Sequence, residues 1–334
     1  MSNPSYTDEQ LILAARLYYL DELPQTRVAE LVNVSQAKVS RMLALARERG
    51  IVRISVPEFE PRDLSLEAQL AGTFGIEAVV VRSITGLQSA DLRRSVGYFA
   101  APIVAGWLEA ASTVALAGGR TMQALVEHLT PPARPRPIEL VQAMGTIASS
   151  PGPYDAVELG VNLARRWRGT FERLNTPAIL PDADTCARFL GLEQIQHVME
   201  RLAAADLVLV GVGTLENSVF AERGVIGNPG IAALRRAGAV GEILGRFYTT
   251  TGEECDSPYR ERVVSLSLNG LRHVARRVGV VVGADRAHAI LAAIRGGFLN
   301  ALVIDEPGAK ALLSLTREFA SHGEPGDQCP TELK

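Results

Sequence analysis

Three cysteines, Cys186, Cys255 and Cys329, are too few, too far apart and odd in number for a disulfide framework, and their usage fits a reducing cytoplasm. There is no CxxC or HxxxH spacing, and the five histidines are scattered, so no metal site is expected. No apolar run approaches the roughly 18 residues of a membrane span. The N-terminus lacks the basic start and apolar stretch of a secretion signal. A net charge of −3 excludes a global pull toward nucleic acid or anionic membrane, so any DNA contact has to come from a local patch. The expectation is a cytoplasmic chain without membrane contact, metal or cofactor. What is plentiful is apolar residue: at 47% of 334 residues they can fill a large core, in two or more domains.

The most informative segment is 28–43. Val28, Ala29, Leu31 and Val32 give a first helix an apolar stripe, and Ala29 is small enough for a second helix to cross closely. Asn33 tolerates a left-handed backbone, Val34 plugs the corner, and Ser35 caps a second helix. In that helix Val39, Leu43 and Ala46 face inward at helical spacing. Gln36, Ala37, Lys38, Ser40, Arg41 and Arg47 remain outside. Gln can bond adenine bidentately, Arg can do so to guanine, Ala can touch a thymine methyl, and Ser, Lys and Arg can hold phosphates. Within residues 36–53 five basic residues, Lys38, Arg41, Arg47, Arg49 and Arg53, stand against Glu48 alone. The pattern reads as a DNA-binding helix-turn-helix. A helical hairpin with a solvated charged face is the alternative that charge alone leaves open.

Around this segment, Thr7 and Gln10 make a capping box for a helix over 7–20. After Gly50, the apolar Ile51, Val52, Ile54 and Val56 predict a short strand or wing. Leu64, Leu66, Leu70 and Phe74 predict a linker helix whose apolar face pairs with a copy or lies on the larger domain. From residue 77, short apolar runs at 78–81, 114–117, 138–141, 207–210, 263–266, 278–282 and 299–304 alternate with amphipathic helices. That texture predicts a mostly parallel sheet covered on both faces, with ligands beyond the carboxyl ends of its strands. The expected architecture is an α+β multidomain chain: a helix-turn-helix domain at 1–57, a linker helix at 58–76, an α/β domain at 77–320 and a disordered tail at 321–334.

At the strand ends, Gly118-Gly119-Arg120-Thr121 precedes a helical run. The glycines allow close backbone approach, the helix start offers free N–H groups, Thr121 adds a hydroxyl, and Arg120 can clamp an oxyanion. The bland alternative is a tight strand-to-helix turn. Similar turns occur at Gly211-Val212-Gly213-Thr214 and Gly283-Ala284-Asp285-Arg286. The first lacks the third glycine of a dinucleotide fingerprint, since position 216 is Glu216, which argues against a nicotinamide cofactor. Arg286 can meet a phosphate and Glu242 a hydroxyl, or each can be merely solvated.

A family resemblance is carried by the helix-turn-helix segments Ala14-Ala15-Arg16-Leu17-Tyr18-Tyr19, Lys38-Val39-Ser40-Arg41-Met42-Leu43 and Arg47-Glu48-Arg49-Gly50-Ile51-Val52-Arg53-Ile54, and by three blocks further on, Ala205-Asp206-Leu207-Val208-Leu209-Val210-Gly211-Val212-Gly213, Gly241-Glu242-Ile243-Leu244-Gly245-Arg246-Phe247 and the run 289–306. Together they resemble the SorC-type sugar-responsive transcriptional regulators over about residues 10–317. The resemblance implies a Rossmann-like effector domain related to sugar-phosphate isomerases and deaminases, acting as a sensor and not a catalyst. It further implies operator DNA and a phosphorylated sugar or polyol as partners, and homodimers or homotetramers. The resemblance maps the effector site onto Gly118, Gly119, Arg120, Thr121, Glu242 and Arg286, and Gln142, Gly211 and Gly213, also at expected strand ends, complete the candidate effector residues. Some members carry a Schiff-base lysine where this chain has Ala143 and Met144, so a covalent effector link is not expected. The competing reading is a sugar-phosphate isomerase or deaminase with an accessory N-terminal domain. Its carboxylates, Asp182, Asp184 and Glu216, form no constellation by spacing.

Overall fold

The computed structural model describes residues 6–55, 59–83, 89–147 and 152–321, so the expected tail beyond Ser321 lies outside the described residues. The chain divides into two compact units, Met1–Phe59 and Glu60–Lys334.

The first unit holds α1 (Asp8–Tyr19), α2 (Gln25–Leu31) and α3 (Gln36–Glu48). The Thr7/Gln10 capping box forms in both directions at 3.1 and 3.3 Å. Leu11, Ala14 and Ala15 of α1, Val28 and Ala29 of α2, and Val39, Met42, Leu43 and Ala46 of α3 share one core. Asn33 adopts φ 53°, and the Val34 N–H bonds the Ala29 carbonyl at 2.9 Å to close the turn between α2 and α3. Two expectations need correction. Leu31 is 53% exposed, because it falls on the outer side of a helix only two turns long. No strand forms over 51–55: among the described residues the run has no neighbouring strand to satisfy its backbone. Instead the Val52 N–H caps α3 at the Ala46 carbonyl, while Ile54 faces solvent. Val56 lies outside the described residues.

The second unit opens with α4 (Leu64–Phe74), β1 (Glu77–Val81), α5 (Ser89–Glu109), β2 (Thr113–Leu116), α6 (Arg120–His128) and β3 (Glu139–Gln142). It continues through α7 (Ala156–Trp167), β4 (Thr170–Glu172), α8 (Ala183–Leu190), α9 (Glu193–Ala203), β5 (Leu207–Val210), α10 (Val219–Glu222) and α11 (Asn228–Arg236). The hairpin β6 (Gly241–Ile243) and β7 (Arg246–Tyr248) follows, then α12 (Leu268–His273), β8 (Arg276–Val280), α13 (Ala287–Arg295), β9 (Ala301–Asp305) and α14 (Glu306–Ser321).

Seven strands form one parallel sheet in the order β1-β9-β8-β5-β2-β3-β4. Because side chains alternate along a strand, both faces need cover. Val208 and Val210 enter a core with Leu66 and Leu70 of α4, Leu202 of α9 and Leu312 of α14. Leu207 and Leu209 enter the opposite core, with Val104 of α5, Leu125 of α6 and Leu163 of α7. The apolar face of α4 thus lies in the core of this unit.

The run 263–266 is not a strand. Val263 and Ser265 make single antiparallel bridges, to Ile179 and Met144. β4 and the β6–β7 hairpin were not anticipated, since at three residues they are too short to show alternation. The hairpin turns on Leu244 (φ 55°) and Gly245 (φ 77°), two consecutive left-handed residues that match strand twist.

Candidate functional site

From β2 the chain adds β3 and β4 on one side, whereas β8, β9 and β1 extend the sheet on the other side of β5. Chain order therefore reverses between β2 and β5; α6, which follows β2, packs in the core on one face of the sheet and α13, which follows β8, in the core on the other, so a crevice is expected between them. At the carboxyl ends of β8, β5, β2 and β3 lies a cavity of about 180 Å³. All nine residues singled out from the sequence for the effector line it: Gly118, Gly119, Arg120, Thr121, Gln142, Gly211, Gly213, Glu242 and Arg286.

The β2–α6 turn is built for close approach. A β-carbon at Gly118 would meet the Tyr154 carbonyl oxygen at 2.8 Å and the Ala156 nitrogen at 2.9 Å. Gly119, with φ 136°, donates its N–H to that same Tyr154 carbonyl at 2.8 Å. No side chain caps α6, so its first free N–H groups and the positive end of its dipole belong to the cavity. Arg120 stands here, paired with Glu222 of α10 at 2.8 Å with both side chains about half exposed.

On the β8 side, Arg286 donates to the Val282 carbonyl at 2.6 Å and lies 3.3 Å from Asp285. The turn is anchored from below: buried Asp305 at the end of β9 accepts the Gly283 N–H at 2.8 Å. Burial pushes the Asp305 carboxyl up, and the Gly283 N–H opposes that shift.

Glu242 and Gln142 are the buried polar groups of the cavity. Glu242 accepts the Gly245 N–H at 2.5 Å, and burial raises its pKa to about 7. Gln142 spends both ends of its amide on backbone: Nε2 donates to the Met144 carbonyl at 2.8 Å and Oε1 accepts the Leu174 N–H at 3.0 Å. It braces the wall as much as it presents a polar surface.

The sequence reading missed Arg93 of α5, Tyr154, Asp155, Asn217 and Glu222, all of which line the cavity. Arg93 sits inside α5, away in sequence from any strand end, and Glu222 belongs to a four-residue helix, so neither carried a positional signal. The carboxylates considered for catalysis are elsewhere. Asp182 caps α8 at the Thr185 N–H, and Glu216 pairs with Arg235. Asp184 does not line the cavity either. Among the described residues no cluster of three or more His, Cys, Asp or Glu could hold a metal ion, and no helix is long and apolar enough to cross a membrane.

In the first unit, Gln36, Ala37, Lys38, Ser40, Arg41 and Arg47 are all exposed along α3. Arg49, which added to the basic count, is instead tied to Asp8 at 2.7 Å and to the Tyr6 carbonyl at 3.2 Å.

The family model "Putative sugar-binding domain" matches residues 61–314. The deoxyribonucleoside regulator of Bacillus subtilis (strain 168) is 30% identical over 305 residues, 91% of this chain and 96% of that protein. The transcriptional regulator LsrR of Enterobacter sp. (strain 638) is 28% identical over 92% of this chain and 94% of its own length. The full-length sorbitol operon regulator SorC from Klebsiella pneumoniae, a crystal structure, superposes with a TM-score of 0.74 at 27% identity, covering 92% of this chain and all of that one. These relatives are regulators and not enzymes. The chain belongs to the same sugar-binding domain family and is a SorC-type transcriptional regulator.

Proposed function

We propose that this regulator binds double-stranded operator DNA through α3 and is controlled by a phosphorylated sugar or polyol held in the cavity of its second unit. The observation that carries the reading is the polarity of that cavity. Arg120, Arg286 and the start of α6 supply positive charge, while buried Glu242 offers a carboxyl suited to a hydroxyl. A phosphate and a polyol chain are the chemistry that such a lining recognises.

On α3, exposed Gln36, Ala37 and Arg41 are the base-reading candidates, with Lys38, Ser40 and Arg47 as phosphate contacts. One half-site of this size binds weakly, so affinity depends on pairing two copies in a homodimer or homotetramer. An effector then acts by favouring one assembly geometry over another, which requires it to bind the two with different affinities. Regulation of sugar metabolism in the cytoplasm follows from this assignment. In a thermal-shift screen of sugar and polyol phosphates against the full chain, a true effector at 100 times its dissociation constant adds roughly 2.7 kcal/mol of stability. Stabilisation by the unphosphorylated sugars alone would contradict the phosphate assignment.

A further inference from the structure

Three cationic side chains line the cavity, Arg93, Arg120 and Arg286, and three acidic ones, Asp155, Glu222 and Glu242. Their pairing is unequal. Asp155 is taken by Arg223 at 3.1 Å, outside the cationic group. Glu242 is enclosed beside the Gly245 N–H. Arg286 has Asp285 at 3.3 Å, and the other oxygen of Asp285 accepts from Asn217 at 2.8 Å. Arg120 has Glu222 in a half-exposed contact, the kind of pair worth little in water and readily exchanged. Arg93 has no ion-pair partner among the described residues, and Asp91, the acid nearest to it in sequence, is engaged by Arg94. Burial, together with the positive charges of Arg120 and Arg286, lowers the pKa of Arg93. Like charges gathered around a cavity repel unless an anion joins them. Here one cation is uncompensated and a second has a counter-ion that can leave, a balance of two charges.

We propose that Arg93 is the charge-selecting residue of this cavity: with Arg120 and Arg286 it cradles the dianionic group of a phosphomonoester, and Glu222 is the internal counter-ion which that dianion displaces from Arg120. The inference rests on the phosphorylated-effector reading and adds to it a requirement for two negative charges, set by a residue outside the glycine-rich turns. A carboxylate or a sulfate ester carries one negative charge and answers only one of the two cations: it binds Arg93 and leaves the Arg120–Glu222 pair in place, or displaces Glu222 and leaves Arg93 without a counter-charge.

The probes are methyl phosphate and methyl sulfate at pH 8, tetrahedral esters of similar shape that differ by one charge, titrated calorimetrically into the full chain. The wild type is expected to prefer methyl phosphate. Arg93→Gln should weaken methyl phosphate binding about tenfold and methyl sulfate far less, as loss of a charge-assisted hydrogen bond implies. Glu222→Gln should strengthen binding of both esters about two- to fivefold, as removal of an exposed competitor implies. This second variant reports independently of whether Arg93→Gln folds. An unchanged preference for methyl phosphate in Arg93→Gln, with binding abolished in Arg286→Gln, would overturn the role of Arg93 and leave the effector reading standing. Weaker binding in Glu222→Gln would overturn the counter-ion assignment. Failure of the wild type to bind methyl phosphate or any sugar phosphate would overturn both readings.

Discussion

Gly213 and Glu242 exchange both of their backbone hydrogen bonds, at 2.9 and 3.0 Å, and a β-carbon on Gly213 would stand 2.8 Å from Glu242 Oε2. The β5 turn and the β6–β7 hairpin are locked face to face, and the glycine leaves the space that the carboxylate occupies. Gly213→Ala therefore has to move the buried carboxylate from its place beside the Gly245 N–H. We expect at least a tenfold loss of sugar-phosphate affinity, with operator binding by the ligand-free protein intact. A calorimetric titration of the variant checks the first part and an anisotropy titration with DNA the second. Wild-type ligand affinity would show that the Glu242 position is immaterial to binding.

The raised pKa of Glu242 sets a pH dependence of stability. Its ordinary value is 4.5 and its folded value is about 7, so between those two pH values the folded chain holds a proton that the unfolded chain has released. The contribution is fully present below about pH 4.5, declines as pH rises, and is gone above about pH 7. Glu242→Gln, which keeps the shape and has no proton to lose, should match the wild type near pH 4.5 and exceed its stability by about 3 kcal/mol at pH 8. Urea unfolding of both proteins across this range measures the difference. A difference independent of pH would contradict the assignment of a buried ionisable carboxyl.

The exposed edge of α3 gives a second group of expectations. Arg41→Ala and Gln36→Ala remove side chains that the three-helix core does not use, so folding should be untouched while operator affinity falls and sequence discrimination relaxes by about 1–3 kcal/mol for each base no longer read. Arg47→Ala should weaken binding to all sequences alike and reduce the salt slope by about one. Gel-shift titrations at several salt concentrations separate the two classes. Equal discrimination in Arg41→Ala and the wild type would remove α3 from the role of reader.

Much of this was legible in the chain because local chemistry and tertiary demand agree. Asn33, Ser35 and the Val39-Leu43-Ala46 stripe each specify their own piece of the α2–turn–α3 unit, and the Val-rich runs at 78–81 and 207–210 are long enough to declare buried strands. The glycine-rich turns marked the cavity because Gly118 and Gly213 stand against neighbouring chain segments and Gly119 and Gly283 take backbone angles that other residues resist. What was not legible depends on neighbours distant in sequence. Val263 to Leu266 is as apolar as a sheet strand, yet no strand pairs with it along its length. Ile51 and Val52 have β propensity but no neighbouring strand among the described residues. Arg93 and Glu222 reach the cavity only because α5 and α10 are folded against it, and Glu222 lies 102 residues along the chain from the Arg120 that it pairs with.

In the proposed function, one ligand cavity governs DNA binding elsewhere in the chain. The most direct test measures operator affinity of the wild type and of Arg286→Ala by fluorescence anisotropy at fixed salt, with and without the sugar phosphate that gives the largest thermal shift. The ligand should change wild-type affinity by about 5- to 150-fold, the usual range for coupled sites. Arg286→Ala should bind DNA like the ligand-free wild type and ignore the ligand. A wild-type affinity that no bound sugar phosphate alters, or a full response in Arg286→Ala, is incompatible with control through this cavity.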